Sequence, residues 1–124
     1  MKTLIVDDSR FIREFLKDHL RSMGADCTEA EDGSEALGVL RQGSSFDLML
    51  IDVNMPVMNG LECVRALREE GIDRRMKVMM VTTEDEHELI EQALGYGADE
   101  FLMKPFTSQS LREKLMLMGF EMAA

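Results

Sequence analysis

The sequence predicts a three-layer α/β fold in which a parallel five-stranded sheet is covered by helices on both faces. Three observations carry this. Strand-like and helix-like segments alternate five times within 124 residues, the pattern of repeated β-α units whose right-handed crossovers demand a parallel sheet. The third and fourth strand candidates, Phe46 to Ile51 and Lys77 to Val81, are almost unbroken apolar runs, as expected of strands buried on both faces. No linker or low-complexity segment interrupts the alternation, and the length suits one domain, residues 1–124, with a real core.

The first strand is the short β-branched and leucine run Lys2 to Val6. Ser9 can cap the helix after it, whose apolar positions Ile12, Phe15, Leu16, Leu20 and Met23 recur at helical spacing until Gly24 stops it. A weaker strand follows at Cys27 to Ala30, then a turn at Asp32-Gly33 and a helix carrying Ala36, Leu37 and Leu40 ahead of Gly43. The third strand precedes a helix over Leu61 to Glu70. The fourth leads into a helix from Asp85 to Leu94 that ends in "GYGAD", and the fifth unit joins Glu100–Met103 to a helix from Ser108 to Met118.

Composition limits the function classes. With 45% hydrophobic and 31% charged residues, the chain reads as a soluble globular protein rather than a disordered or fibrous one. A net charge of −10 argues against a nucleic acid or an anionic membrane surface as direct partner, because phosphate contacts need clustered Lys and Arg. The apolar runs fall far short of the roughly 20 residues a spanning helix needs, and "MKTLIV" meets two aspartates without a signal-peptide core, so membrane insertion is not expected and a cytoplasmic location is. Cys27 and Cys63 have no partners at metal or redox spacing and read as small buried hydrophobes; His19 and His87 read as surface residues and the 12 methionines as core packing.

The strand ends carry the chemistry. In open parallel sheets, ligands sit beyond the carboxyl ends of the strands where strand order reverses; for the order 2-1-3-4-5 that crevice lies between the first and third strands. The first strand ends in Asp7 and Asp8, the third in Asp52, the fourth in Thr82 and Thr83, and the fifth in Lys104. Three carboxylates on one rim repel one another, and such clusters are normally tolerated because a cation sits among them. Hard carboxylate oxygens favour Mg²⁺, which accepts phosphate oxygens in its remaining positions. Three negative charges less the one positive charge of Lys104 leave two for a divalent ion to neutralise. An ionised aspartate can itself be the nucleophile toward a phosphoryl group, and Asp52, central and alone at its strand end, is the best placed.

Taken in order, "LIVDDS", "LMLIDVNMPVMNG", "VMMVTT" and "FLMKPF" resemble the receiver domains of bacterial two-component response regulators, over essentially the whole chain. The resemblance implies a flavodoxin-like fold, Asp52 as the phospho-acceptor, Asp8 as a direct Mg²⁺ ligand, Asp7 acting largely through water and the backbone carbonyl of Asn54 as a further ligand. It implies that Thr82 binds a phosphoryl oxygen, that Lys104 pairs with the phosphoryl group, that the Lys104-Pro105 bond is cis and that Phe101 is the switch aromatic. It also implies a sensor histidine kinase as donor and a downstream target docking on the fourth helix, fifth strand and fifth helix. Phe101 lacks the hydroxyl of the tyrosine that often stands there, so it can change packing but cannot donate a hydrogen bond.

Within that family, Asn54 and Glu84, each two residues beyond Asp52 and Thr82, form a pair similar to that of CheY-like chemotaxis proteins. With nothing after the fifth helix, output is expected to pass through protein contacts, in chemotaxis or, alternatively, in a phosphorelay that hands phosphate to a histidine domain. A rival from another class, an aspartate-nucleophile phosphohydrolase, would want D-x-D on the nucleophile strand and a cap, whereas Asp52 is followed two residues on by Asn54 and no insertion is long enough for a cap. A flavodoxin-type FMN carrier would need a Ser/Thr/Gly-rich phosphate loop where "DDSRF" stands, and those acids would repel the cofactor. Between Val78 and Met103 the chain has seven acids and no Lys or Arg, which predicts an acidic docking face.

Overall fold

The computed structural model describes residues 1–72 and 75–121, with Glu84 described by its backbone alone. Along the chain run β1 (Lys2–Val6), α1 (Arg10–Ser22), β2 (Asp26–Ala30), α2 (Gly33–Arg41), β3 (Leu48–Asp52), α3 (Gly60–Glu70), β4 (Lys77–Thr82), α4 (His87–Gly95), β5 (Glu100–Met103) and α5 (Ser108–Leu117). The strands form one parallel sheet in the order β2-β1-β3-β4-β5, the flavodoxin-like arrangement expected.

Period-two alternation divides the core into two apolar compartments. Leu4, Val6, Met49, Ile51, Val78 and Met80 face α2, α3 and α4, where they meet Leu37, Leu40, Val64, Leu67 and Ala93. Ile5, Leu48, Leu50, Met79, Val81 and Leu102 face α1 and α5, where they meet Leu16, Leu20, Leu111 and Leu115. Every residue of β3 is buried.

Several boundaries differ from the sequence expectation, each for a local reason. Asp32 is not a turn residue but the N-cap of α2, its carboxylate accepting from the Glu35 N–H, and Gly33 opens the helix. Phe46 is buried but precedes β3, which begins at Leu48; Asp47 between them is bonded on both sides, its N–H donating to the Lys2 carbonyl and its carbonyl accepting from the Lys77 N–H. β4 runs one residue further, to Thr82, and the following helix starts later. A 3-10 turn at Glu84–Glu86, held by a capping box between Thr83 and Glu86, occupies the segment expected to be helical. Cys63 is buried, and burial pushes its thiol up to about 12. Cys27, on edge strand β2, is only half-buried, and His19 is half-buried against Phe15, their ring centroids 4.2 Å apart. Methionines are divided: Met49, Met76, Met79 and Met80 are fully inside, while Met116 is exposed.

The loop after β3 holds one strained residue. Val57 has φ of 67° and is 83% exposed. Left-handed backbone crowds a β-branched side chain, and an exposed side chain gains nothing from burial in return. Val57→Asn is therefore expected to raise stability by about 1 kcal/mol, read as a higher urea midpoint at unchanged denaturant slope. An unchanged or lower midpoint would contradict this.

Candidate functional site

Register builds the site. Val6 of β1 lies opposite Ile51 of β3, so the next residues along, Asp7 and Asp52, emerge side by side where strand order reverses. Asp7 and Asp52 are 1% and 5% exposed, while Asp8 is exposed. One oxygen from each of these three carboxylates lies within 4.8 Å of the others.

Asp7 Oδ1 accepts from the Ser9 N–H at 2.8 Å, but its buried Oδ2 has no hydrogen-bond partner. Asp52 Oδ1 accepts from the Asn54 N–H at 3.3 Å. Lys104 reaches across from the end of β5, its Nζ 3.3 Å from Asp52 Oδ2 and 3.6 Å from Asp7 Oδ2. That one ammonium does not balance the acids. Burial, then the neighbouring Asp7 charge, push the Asp52 carboxyl up to about 6 despite Lys104, and burial raises Asp7 as well. The cluster thus offers hard oxygens, a buried carboxylate oxygen that accepts no hydrogen bond and uncompensated negative charge, a donor set that fits a divalent cation.

Backbone packing fixes this rim. The Lys104 N–H donates to the Thr82 carbonyl at 2.6 Å, and the Lys104-Pro105 bond is cis as expected. Gly60 at the start of α3 donates to the Val53 carbonyl at 2.9 Å, and an added Cβ there would fall 2.4 Å from the Asp52 carbonyl oxygen. The helix therefore begins in contact with the strand end that carries Asp52.

Asp7, Asp8, Asp52 and Lys104 are thus brought together as expected. The Asn54 side chain points into solvent, leaving its backbone as the part that meets the site. Thr82 is fully buried, and its hydroxyl lies 3.3 Å from both the Thr83 carbonyl and Glu86 Oε1. Phe101 packs half-buried against the α2, α3 and α4 side of the core. The Lys114 ammonium stands 4.5 Å from its ring centroid and is itself bonded to Glu100 at 3.0 Å, a cation–π arrangement. The side chain of Glu84, expected to pair in role with Asn54, lies outside the described residues.

Sequence reasoning missed two residues. Arg13, 8% exposed, donates from Nη1 to the Asp7 carbonyl at 2.6 Å and from Nε to Glu29 at 3.1 Å, pinning the end of β1 from behind. Its signal was available: it shares the α1 stripe of Leu16 and Leu20, three and seven residues on. Glu86 was signalled by the T-x-x-E spacing from Thr83.

Comparison with known proteins agrees with this geometry. The family model described as the response regulator receiver domain matches residues 3–116. The chemotaxis protein CheY of Pseudomonas aeruginosa is 40% identical over 116 residues, 93% of each chain. The chemotaxis protein CheY homolog of Campylobacter jejuni is 42% identical over 116 residues, 93% of this chain and 89% of its own. The solved structure of the chemotaxis response regulator CheY4 of Vibrio cholerae superposes with a TM-score of 0.84 at 38% identity, covering 94% of this chain and 96% of that one. With strand ends, sheet order and nearly the full length matched together, the chain belongs to the response regulator receiver domains, and within them to the CheY-like group.

Proposed function

We propose that Asp52 accepts a phosphoryl group from a phosphohistidine of a sensor kinase, and that the chain signals by changing what it binds. The observation that carries this is a deeply placed Asp52 carboxylate beside the Lys104 ammonium at the sheet's switch point. An Asp52 oxygen forms the new bond to phosphorus as the phosphorus–nitrogen bond breaks, and the imidazole leaves with the electron pair. Asp8, Asp52 and the Asn54 carbonyl would hold Mg²⁺, with Asp7 acting through water. An ion held there would neutralise charge building on the phosphoryl oxygens. Lys104 pairs with the phosphoryl group, Thr82 turns to it, and Phe101 moves into the space vacated. The chain's own chemistry is confined to this transfer, and the relatives, chemotaxis proteins, favour neither the phosphorelay nor the phosphohydrolase alternative.

Intact-mass spectrometry of wild type and Asp52→Asn incubated with acetyl phosphate tests the assignment. The expected result is Mg²⁺-dependent phosphorylation of wild type alone. Equal modification of both proteins would sink it.

The downstream surface we assign to α4, β5 and α5. Asp85, Glu88 and Glu91 are exposed there, Leu94 and Tyr96 stand out at the end of α4, and Lys114 is engaged by Glu100. Acids in the first turn of α4 also favour its dipole, but Glu91 lies beyond that reach. Such a face suits a target segment that pairs Lys or Arg with an apolar anchor. Raising salt is then expected to slow association of the beryllofluoride-loaded protein more than it speeds dissociation. Salt-independent association, or a target segment that is itself acidic, would rule this out.

A further inference from the structure

We propose that Glu86 is a positioning residue which holds the Thr82 hydroxyl away from the phosphoryl site, and so sets how tightly the Asp52 pocket takes a phosphoryl group. The inference rests on the reading in which Thr82 turns toward that group, and deepens it.

Glu86 Oε1 is fixed by its own neighbours, accepting from the Thr83 N–H at 2.9 Å and lying 2.7 Å from the Thr83 hydroxyl, whose one proton it shares with Asp85. These bonds keep the carboxylate at the end of β4 whatever Thr82 does. Thr82 is fully buried, so its hydroxyl proton must find an acceptor inside the protein. Among the described residues, the two acceptors within reach lie on the loop after β4: the Thr83 carbonyl and Glu86 Oε1, each at 3.3 Å. The hydroxyl has one proton to give, and a carboxylate is the stronger acceptor. To serve a phosphoryl oxygen, Thr82 must leave Glu86, and the bond given up is subtracted from the affinity for the phosphoryl group. The Thr83 N–H is the bond that holds Glu86 in this loop independently of how the Thr83 hydroxyl divides its proton between Glu86 and Asp85.

A titration of the full chain with beryllofluoride at saturating Mg²⁺, followed by amide NMR, tests this. Glu86→Ala is expected to bind beryllofluoride about three- to ten-fold more tightly, the worth of one shared hydrogen bond. Glu86→Gln keeps the cap and an acceptor oxygen while losing the charge, so its gain should be clearly smaller. Thr82→Val should weaken binding by itself and cancel the gain from Glu86→Ala, whereas Thr82→Ser, which keeps the hydroxyl, should preserve that gain. A gain that survives undiminished in Thr82→Val would reveal a plain charge effect and overturn the proposal, as would no gain from Glu86→Ala. Thr82→Val binding beryllofluoride as well as wild type would instead remove the role of Thr82 in the proposed function, and the role of Glu86 with it.

Discussion

Gly60→Ala is expected to destabilise the protein by about 3 kcal/mol, the upper end of what overpacking costs, and to reduce phosphorylation of Asp52. The added Cβ would lie 2.4 Å from the Asp52 carbonyl oxygen and 3.0 Å from its carbonyl carbon and from Val53 Cα. All three neighbours are backbone, so no side chain can swing aside. Helix α3 cannot retreat without stretching the bond from the Gly60 N–H to the Val53 carbonyl, which is 2.9 Å long. Either the helix start lifts or the strand end that aims Asp52 is pushed. Gly38→Ala is the matched control: it lies within α2, an added Cβ meets nothing within 4 Å, and replacing a helical glycine by alanine gains about 0.5–1 kcal/mol. Urea midpoints of the two variants should move in opposite directions. A Gly60→Ala protein as stable as wild type would show that α3 does not press on the strand end.

Asp52→Asn is expected to stabilise the metal-free protein at pH 7 by about 2 kcal/mol. The Asp52 carboxyl, raised from 3.8 to about 6 chiefly by burial and then by the Asp7 charge, binds its proton more readily folded than unfolded. Its contribution to stability is therefore fully present below about pH 3.8 and is lost as pH rises through about 6. Asparagine removes that loss but leaves Lys104 with Asp7 alone, at 3.6 Å, which offsets part of the gain. In a chelator, thermal unfolding of the two proteins should differ most at pH 7 and converge only as pH falls to about 3.8 and below, where the carboxyl is protonated in the unfolded chain as well. Added Mg²⁺ should raise the wild-type midpoint and narrow the gap, because ligand binding stabilises the folded state. A variant no more stable than wild type at pH 7 would contradict the burial cost assigned to Asp52.

Much of this was legible before any coordinate. Solid apolar runs gave β3 and β4 because strands covered on both faces leave no polar side to disguise the period. The Ser9 cap and Gly24 placed α1 within a residue or so, and α3 was expected one residue short at its start. The acids at the ends of β1 and β3 and Lys104 after β5 were found from strand-end position alone, since in a parallel sheet that position is where ligand chemistry collects. The segment after β4 was not legible: its acids fit a helical first turn, and only the bonds from Thr83 to Glu86 show a 3-10 turn in their place. Arg13 escaped for a related reason. A basic residue on an apolar stripe looks like surface until the Asp7 carbonyl and Glu29 are seen to receive it. Cys27 misled because edge strand β2 is covered less fully than its neighbours, with alternate residues open.

The division of the core into two apolar compartments has a spectroscopic consequence. Adjacent methionines of β4 point to opposite sides: Met80 lies with Met49 and Met76 in the compartment that Phe101 packs against, and Met79 lies with Met23 in the one closed by α1 and α5. The chain has no tryptophan and one tyrosine, so methyl carbons are its best built-in reporters. Isotope labels on the methionine methyls would give each side of the sheet its own set of signals. A rearrangement of Phe101 would be read at Met80 while Met79, next in the same strand, stays silent, and a disturbance entering through α1 or α5 would reverse the pattern.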